Sequence, residues 1–476
     1  MGLEMLRIRH ILAKKMLRIC ILPPKIEAME RIFKRKASQQ LLEWKENWAG
    51  QYAIMVEGAR RVGKSTLVEE FAKENYASYI KVDFSDTTPD LDRIFEDLSH
   101  LDLFFLRLQS YMGVDLVERK SCIIFDEIEH APKVRQAIKR LVKDGRYDYI
   151  ETGSLISIKK NTKGILLPSE EMKMQVYPLD YEEFCWATGT AYSNLEKLLS
   201  LNSPIGEAAN RKLMGDFRLY MAIGGMPQAI EAYLDKRSFQ QIDRVKREII
   251  ALYEDDFRKI DPSGSLSLIY EAIPAQLFAK KSRFFISKAL GKRVGGKKEE
   301  MLSEMESSKT VLVCHNVADP SLSLSSSADP EDYKLYLSDT GLLVSLLFKD
   351  KSLVGDGIYN KLLSNKLEAN LGFLYENALA QEIASSGRGL YFHHWCEEGK
   401  SHPREIDFLL TDGAKIIPVE VKSSDAKNHV SIDEFSAKYS RKVSRRVLFS
   451  QGDLSHDGML ELKPVYLADA FLKSLK

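Results

Sequence analysis

The segment GARRVGKST, Gly58 to Thr66, constrains this chain more than any other. It follows an apolar run, YAIMVE, and precedes a stretch with helical apolar spacing at Leu67, Val68, Phe71 and Ala72, so the pattern predicts strand, loop and helix in that order. Gly58 and Gly63 let backbone N–H groups curl round phosphates, and the helix N-terminus adds a favourable dipole. Lys64 reaches towards β- and γ-phosphate oxygens, and Ser65 offers a hydroxyl to Mg²⁺. The whole loop, Gly58, Ala59, Arg60, Arg61, Val62, Gly63, Lys64, Ser65 and Thr66, is therefore the candidate ATP site.

A second motif supports the first. SCIIFDEIEH is an apolar strand that ends in Asp126 and Glu127, where a Walker B strand belongs. Asp126 suits the Mg²⁺ shell, and Glu127 suits polarising a water for in-line attack on the γ-phosphate. Downstream, YDYIETGSL reads as another buried strand, with Thr152 and Ser154 as polar groups able to sense the γ-phosphate or simply to close a turn. Arg60, Arg61, Arg140 and Arg146 are all candidate arginine fingers, and sequence alone assigns that role to none of them.

At 476 residues the chain exceeds one ordinary core, and usual domain sizes predict roughly three units. Hydrophobic content of 44% and charged content of 29% exclude a long disordered or fibrous tract. A net charge of +1 means that any nucleic-acid contact must come from a local patch. Cys20, Cys122, Cys185, Cys314 and Cys396 are scattered without zinc-site spacing, as in a reduced cytoplasmic protein. Charges interrupt every apolar run, so neither a membrane span nor a secretory leader is expected. Residues 1–28 read as an extension ahead of the first domain, which opens near Met29.

The rest of the chain divides by pattern. Residues 29–178 are expected to form the P-loop core and 179–262 a helical lid broken at Gly189, Pro204 and Gly224 to Pro227. Short helices followed by the strands TVLVCHNV and YKLYLSD over 263–350 suit a winged helix. Within this region, residues 280–298 hold Lys280, Lys281, Arg283, Lys288, Lys292, Arg293, Lys297 and Lys298 and no acidic residue, a patch suited either to a DNA backbone or to plain solvation. Residues 351–476 contain REIDFLLTDGAKIIPVEVKSS, which alternates like a hairpin about Thr411-Asp412-Gly413. It puts Asp407 on one strand and Glu420 and Lys422 on the other, a D…ExK arrangement in which two carboxylates can hold Mg²⁺ against a scissile phosphate while the lysine orients water. Glu376, on the upstream helix FLYENALAQEIA, is placed to add a further acid. His393, His394, Cys396 and His402 match no compact zinc set.

GARRVGKST, IIFDEIEHAPKVRQAIK, IETGSLISI, YPLDYEEF, GGMPQAI, YKLYLSDTGLL and REIDF…VEVKSS occur in an order that resembles one prokaryotic family, from about Met29 to the C-terminus. These are AAA-type ATPases that carry a C-terminal domain of unknown function with a restriction-endonuclease-like fold. The resemblance implies a multidomain α/β protein with a P-loop core, a winged-helix segment and a D/ExK domain. It assigns Gly58, Gly63, Lys64 and Ser65 to nucleotide binding, Asp126 and Glu127 to the Walker B roles, and Asp407, Glu420 and Lys422 to the nuclease-like site. Many relatives have Gln in place of Glu129. Two functions compete. In the first, an ATPase couples its cycle to DNA binding or processing, with oligomerisation left open; in the second, a signalling switch uses its C-terminal fold only to bind. A metabolic kinase would leave much of the chain without a role.

Overall fold

The computed structural model describes residues 31–154, 169–293, 295–349, 356–364, 372–396, 404–423 and 429–475. The expected extension at 1–28 and His402 lie outside them. There are two compact units, Met1–Phe33 and Lys34–Lys476, and the second holds every element named below.

This second unit opens with α1 (Ala37–Asn47), β1 (Ala53–Glu57), α2 (Lys64–Asn75), β2 (Ser78–Asp83), α3 (Pro89–Glu96), α4 (Leu101–Met112), β3 (Ser121–Asp126), α5 (Pro132–Asp144), β4 (Asp148–Gly153) and β5 (Glu171–Gln175). Strands β1, β3 and β4 are buried along their whole length, as in a sheet covered on both faces, and β4 buries the polar side chains of Asp148, Glu151 and Thr152 among its apolar ones. All five strands run parallel, in the order β2-β3-β4-β1-β5. The phosphate loop leaves the carboxyl end of β1 and Asp126 closes β3, so both arrive at one edge of the sheet, where open α/β sheets bind ligands. An aromatic cluster of Phe84, Phe95, Phe104, Phe105, Phe125 and Tyr147 packs the core.

Five helices follow: α6 (Tyr181–Thr188), α7 (Ser193–Leu201), α8 (Glu207–Ile223), α9 (Pro227–Leu234) and α10 (Phe239–Ile260). Ser238 and Gln241 cap α10 reciprocally. Next come α11 (Ser265–Phe278), α12 (Ile286–Ala289), α13 (Lys298–Ser307), the antiparallel pair β6 (Val311–Val317) and β7 (Ala328–Leu337), α14 (Thr340–Leu347) and α15 (Asp356–Leu363). The C-terminal part contains α16 (Gly372–Ser385), β8 (Tyr391–Trp395), β9 (Arg404–Ile406), β10 (Phe408–Asp412), β11 (Lys415–Val421), α17 (Val430–Lys438), β12 (Arg446–Ser450), β13 (Ser455–Asp457), β14 (Leu460–Pro464) and α18 (Ala468–Lys473). No described helix is long and apolar enough to cross a membrane.

The expected boundary at 350/351 does not separate two sheets. Strand β8 pairs with β6, giving the order β7-β6-β8-β9, while β10-β11-β12-β14-β13 form a second sheet. Helix α16 ties the parts further. Asn377 bonds both backbone groups of Leu337 (2.8 and 3.1 Å), Gln381 accepts from Thr340 N (2.9 Å), and Glu382 accepts from Tyr181 N (3.0 Å) and the Tyr220 hydroxyl (2.9 Å). The hairpin differs from expectation in two details. Asp407 stands in the bend between β9 and β10, where its carboxylate accepts from Val421 N at 2.8 Å. The turn falls at Gly413, whose φ of +59° glycine adopts without strain, because Asp412 still pairs with Lys415.

The motifs GGMP and SDTGLL interlock. Asp339 accepts from Gly225 N (2.6 Å) and from Leu342 N (2.8 Å), and buried Lys246 donates to Ala222 O (2.7 Å) and Gly341 O (3.1 Å). A Cβ on Gly225 would stand 2.0 Å from the Leu179 carbonyl oxygen, which is backbone and cannot swing away. Gly225→Ala is therefore expected to destabilise the protein by about 3 kcal/mol or more. Gly215→Ala, inside α8 with nothing within 4 Å of the added atom, is expected to stabilise it by about 0.5–1 kcal/mol. Chemical denaturation of both variants checks the pair, and equal midpoints would contradict it.

Candidate functional site

The phosphate loop owes its shape to two glycines with different tasks. Gly63 sits at φ +91°, in the left-handed region, immediately before α2. Gly58 allows close approach, since a Cβ there would lie 2.4 Å from Val176 O. Lys64 is only 5% exposed, and its ammonium donates to Gly58 O (3.2 Å) and Ala59 O (3.1 Å), folded back over the loop. Burial lowers its pKa below the usual lysine value, against the pull of nearby Glu127, Glu129 and Asp126.

Beneath the loop, Asp126 gathers hydroxyls. Ser65 Oγ donates to Asp126 Oδ1 at 2.8 Å, and Thr152 Oγ1 donates to the same oxygen. Lys81, on β2, stands 3.3 Å from Asp126 Oδ2 and 2.9 Å from Glu69. Glu127 adopts φ +52°, a conformation that costs a non-glycine residue roughly 1–2 kcal/mol, while its N–H donates to Thr152 Oγ1 at 3.2 Å. Burial, and then the Glu129 carboxylate, push Glu127 up to about 7. Glu129 accepts from Ser154 N (3.2 Å) and Ser154 Oγ (3.0 Å). Thr152 and Ser154 thus orient the acidic turn after β3.

Among the arginines, Arg60 pairs with Asp256 at 3.2 Å and its carbonyl accepts from the Tyr253 hydroxyl at 2.9 Å. Arg61 is exposed at φ +67°. Arg140 bonds Ser99 O, and Arg146 bonds Asp144 and Asp102. Sequence reasoning missed Lys81 and Tyr253, and it missed Arg35, which donates to Val62 O at 2.8 Å. None of the three falls at a spacing that ties it to the loop.

The C-terminal acids also converge. Phe408 pairs with Val419, which brings Asp407 beside Glu420. Glu420 is 2% exposed, lies 2.9 Å from the Lys422 ammonium through Oε2, and has no hydrogen-bond partner at Oε1 among the described residues. Burial and the Asp407 charge raise Glu420 to about 6, and burial and Asp407 raise half-buried Glu376 to about 7. Burial alone would lower Lys422, but Asp407 and Glu420 outweigh it. Two members were not foreseen. Glu405 precedes Asp407 by two residues and bonds buried Lys334, which reaches in from β7. All eight basic residues of 280–298 are exposed, and the charge of Lys280 acts on Glu376. His393 Nδ1 contacts Val317 O (2.7 Å) and His394 Nε2 contacts Asp332 (2.7 Å), so protein groups hold both rings.

An orphaned buried carboxylate oxygen beside mutually repelling acids suits a divalent cation, which Asp407 and Glu420 would hold. At the phosphate loop the hard-oxygen donors Ser65 and Asp126 meet at one oxygen pair and suit Mg²⁺ in the same way.

Comparison with known families agrees with this geometry at the first site. Residues 50–185 match an AAA domain, 214–353 a domain of unknown function (DUF8612) and 371–463 another (DUF4143). No curated protein matches the chain. Among solved structures, the Orc1 protein of Aeropyrum pernix in complex with DNA is similar at TM-score 0.26 and 12% identity, covering 69% of this chain and 95% of that one. Cdc6p from Pyrobaculum aerophilum gives TM-score 0.23 and 12% identity, covering 70% and 94%, and protein VC1899 from Vibrio cholerae gives 0.18 and 10%, covering 89% and 96%. Likenesses this slight carry no argument. The match over 50–185, with the loop and acids it contains, makes this part of the chain an ATP-binding AAA-type P-loop ATPase domain.

Proposed function

We propose that the chain hydrolyses ATP and uses the cycle to control binding or processing of DNA, which runs along residues 280–298 to the cluster of Glu376, Asp407 and Glu420 with Lys422. The observation that carries the reading is that the exposed stretch of eight cations starts two residues after Phe278, whose ring packs edge-on against Phe373 (centroids 6.2 Å apart) on α16, the helix that carries Glu376. A DNA backbone laid on the cations brings its phosphates to acids placed to hold a metal.

At the nucleotide site, Lys64 turns from the Gly58 and Ala59 carbonyls to the phosphates, Ser65 and Asp126 hold Mg²⁺, and Glu127 takes the proton of the attacking water. When bound, the ion neutralises phosphate charge. At the C-terminal site, Asp407 and Glu420 hold the second ion, Lys422 orients water, and Glu376 and Glu405 tune the local charge. The segment 263–350 acts as the winged helix and 351–476 as the nuclease-like domain. The antiparallel β6–β7 pair and the β10–β11 hairpin support these readings.

Duplex binding measured by fluorescence anisotropy tests the proposal. The triple variant Lys288→Glu, Lys292→Glu, Arg293→Glu is expected to weaken binding at least about tenfold and to flatten the salt dependence by about one logarithmic unit for each phosphate that the protein ceases to neutralise. With Mg²⁺ present, Lys422→Ala is expected to abolish cleavage without weakening binding. DNA affinity indifferent to both the triple variant and salt would favour the signalling switch.

A further inference from the structure

Just ahead of α1, two adjacent cations reach opposite ends of the chain. Arg35 is 8% exposed and uses its whole guanidinium: Nη1 donates to Val62 O in the phosphate loop (2.8 Å), Nη2 to Tyr177 O (2.6 Å) and Nε to Glu183 (3.1 Å). A Cβ on Gly63 would lie 3.6 Å from the same Nη1, so the guanidinium lies against the loop where it turns into α2. Lys36 faces the other way. Its ammonium lies 2.7 Å from Asp180, 2.7 Å from Glu182 and 3.0 Å from Asp469, and its backbone N–H donates to Glu183 at 2.6 Å.

Asp469 belongs to α18, at the far end of the chain. It also accepts from the Tyr192 hydroxyl and lies 3.5 Å from Lys473, which bonds Glu182 as well. Oxygens of Asp180, Glu182 and Asp469, all buried, lie within 4.8 Å of one another. Three carboxylates that close repel one another unless cations lie between them or one of them holds a proton. Among the described residues Lys36 is the cation that touches all three, so it helps to seat α18 against residues 180–183, together with Lys473 and Tyr192. Glu183 is shared by the Lys36 N–H and the Arg35 Nε. A shift of α18 therefore reaches Val62 through Lys36, Glu183 and Arg35, by contacts that are all buried or partly buried.

We infer that Arg35 is a positioning residue of the phosphate loop, and that Asp469 makes its position depend on the seated C-terminal helix. MgATP affinity is then set in part by the end of the chain that carries the acidic cluster. The inference rests on the reading that residues 58–66 bind MgATP.

The test measures MgATP affinity by calorimetry, and hydrogen exchange of amides 58–66, on the full chain. Arg35→Met is expected to weaken binding about tenfold, through the loss of its one charge-assisted contact to the loop, and Arg35→Lys to recover part of it. Asp469→Asn keeps the side-chain shape and removes the charge opposite Lys36. It is expected to weaken binding about three- to tenfold and to speed exchange within 58–66 as well as within 468–473. If Arg35→Met does not fold, Asp469→Asn carries the test alone. Faster exchange in 468–473 with unchanged affinity and unchanged exchange in 58–66 would overturn the coupling. Lys64→Ala run alongside separates the two claims, because native affinity in that variant would remove the phosphate-loop reading itself.

Discussion

Lys64→Ala is expected to weaken MgATP binding by about 10²–10³-fold, the effect of deleting one partner from a buried charge pair. The lysine is almost wholly enclosed, and its ammonium now rests on the Gly58 and Ala59 carbonyls. Carbonyl dipoles offset only part of the cost of burying a charge, which is why burial lowers its pKa. Phosphate oxygens offset the remainder, so much of the binding free energy at this loop comes from rescuing a poorly solvated ammonium. Without nucleotide, the variant should melt near the native protein or slightly above it. The rise in Tm that MgATP gives the native protein should vanish. A native-sized rise would show that the nucleotide binds elsewhere.

Glu127→Gln is expected to behave in the opposite sense, keeping MgATP affinity while slowing hydrolysis by about 10²–10⁴-fold. The carboxylate is held out from the end of β3 by a left-handed backbone, with its N–H fixed to Thr152. Strain of that kind persists where the surroundings over-determine it and a side chain has to be aimed. Glutamine preserves the shape and accepts no proton, so single-turnover rates fall while calorimetric affinity does not. Equal loss of affinity and rate would make Glu127 structural.

Distance along the chain decides how much of the fold and the sites could be read from sequence. The strand, loop and helix around Gly58 to Thr66 are legible because each residue's task is set by neighbours a few positions away. Strand order β2-β3-β4-β1-β5 is not, because each pairing joins segments that lie far apart in the sequence. Helix α16 shows the limit most clearly. Glu376 stands out beside the D…ExK pattern, yet Asn377, Gln381 and Glu382 on the same helix serve residues 37 to 202 positions away, which no local pattern records. Arg35 and Lys334 were missed for the same reason, each being an ordinary cation until folding brings its partners. Asp407 was read onto a strand because the apolar alternation runs straight through it, whereas its own carboxylate, taking the Val421 N–H, bends the chain there.

The central claim is that nucleotide turnover answers to DNA. Steady-state ATP hydrolysis should be measured with and without duplex DNA at two salt concentrations, on the native protein and on the triple Glu variant of 288, 292 and 293. DNA is expected to stimulate hydrolysis by the native protein, an effect that fades as salt rises and is absent in the variant. Hydrolysis that is the same with and without DNA at both salt concentrations would contradict it.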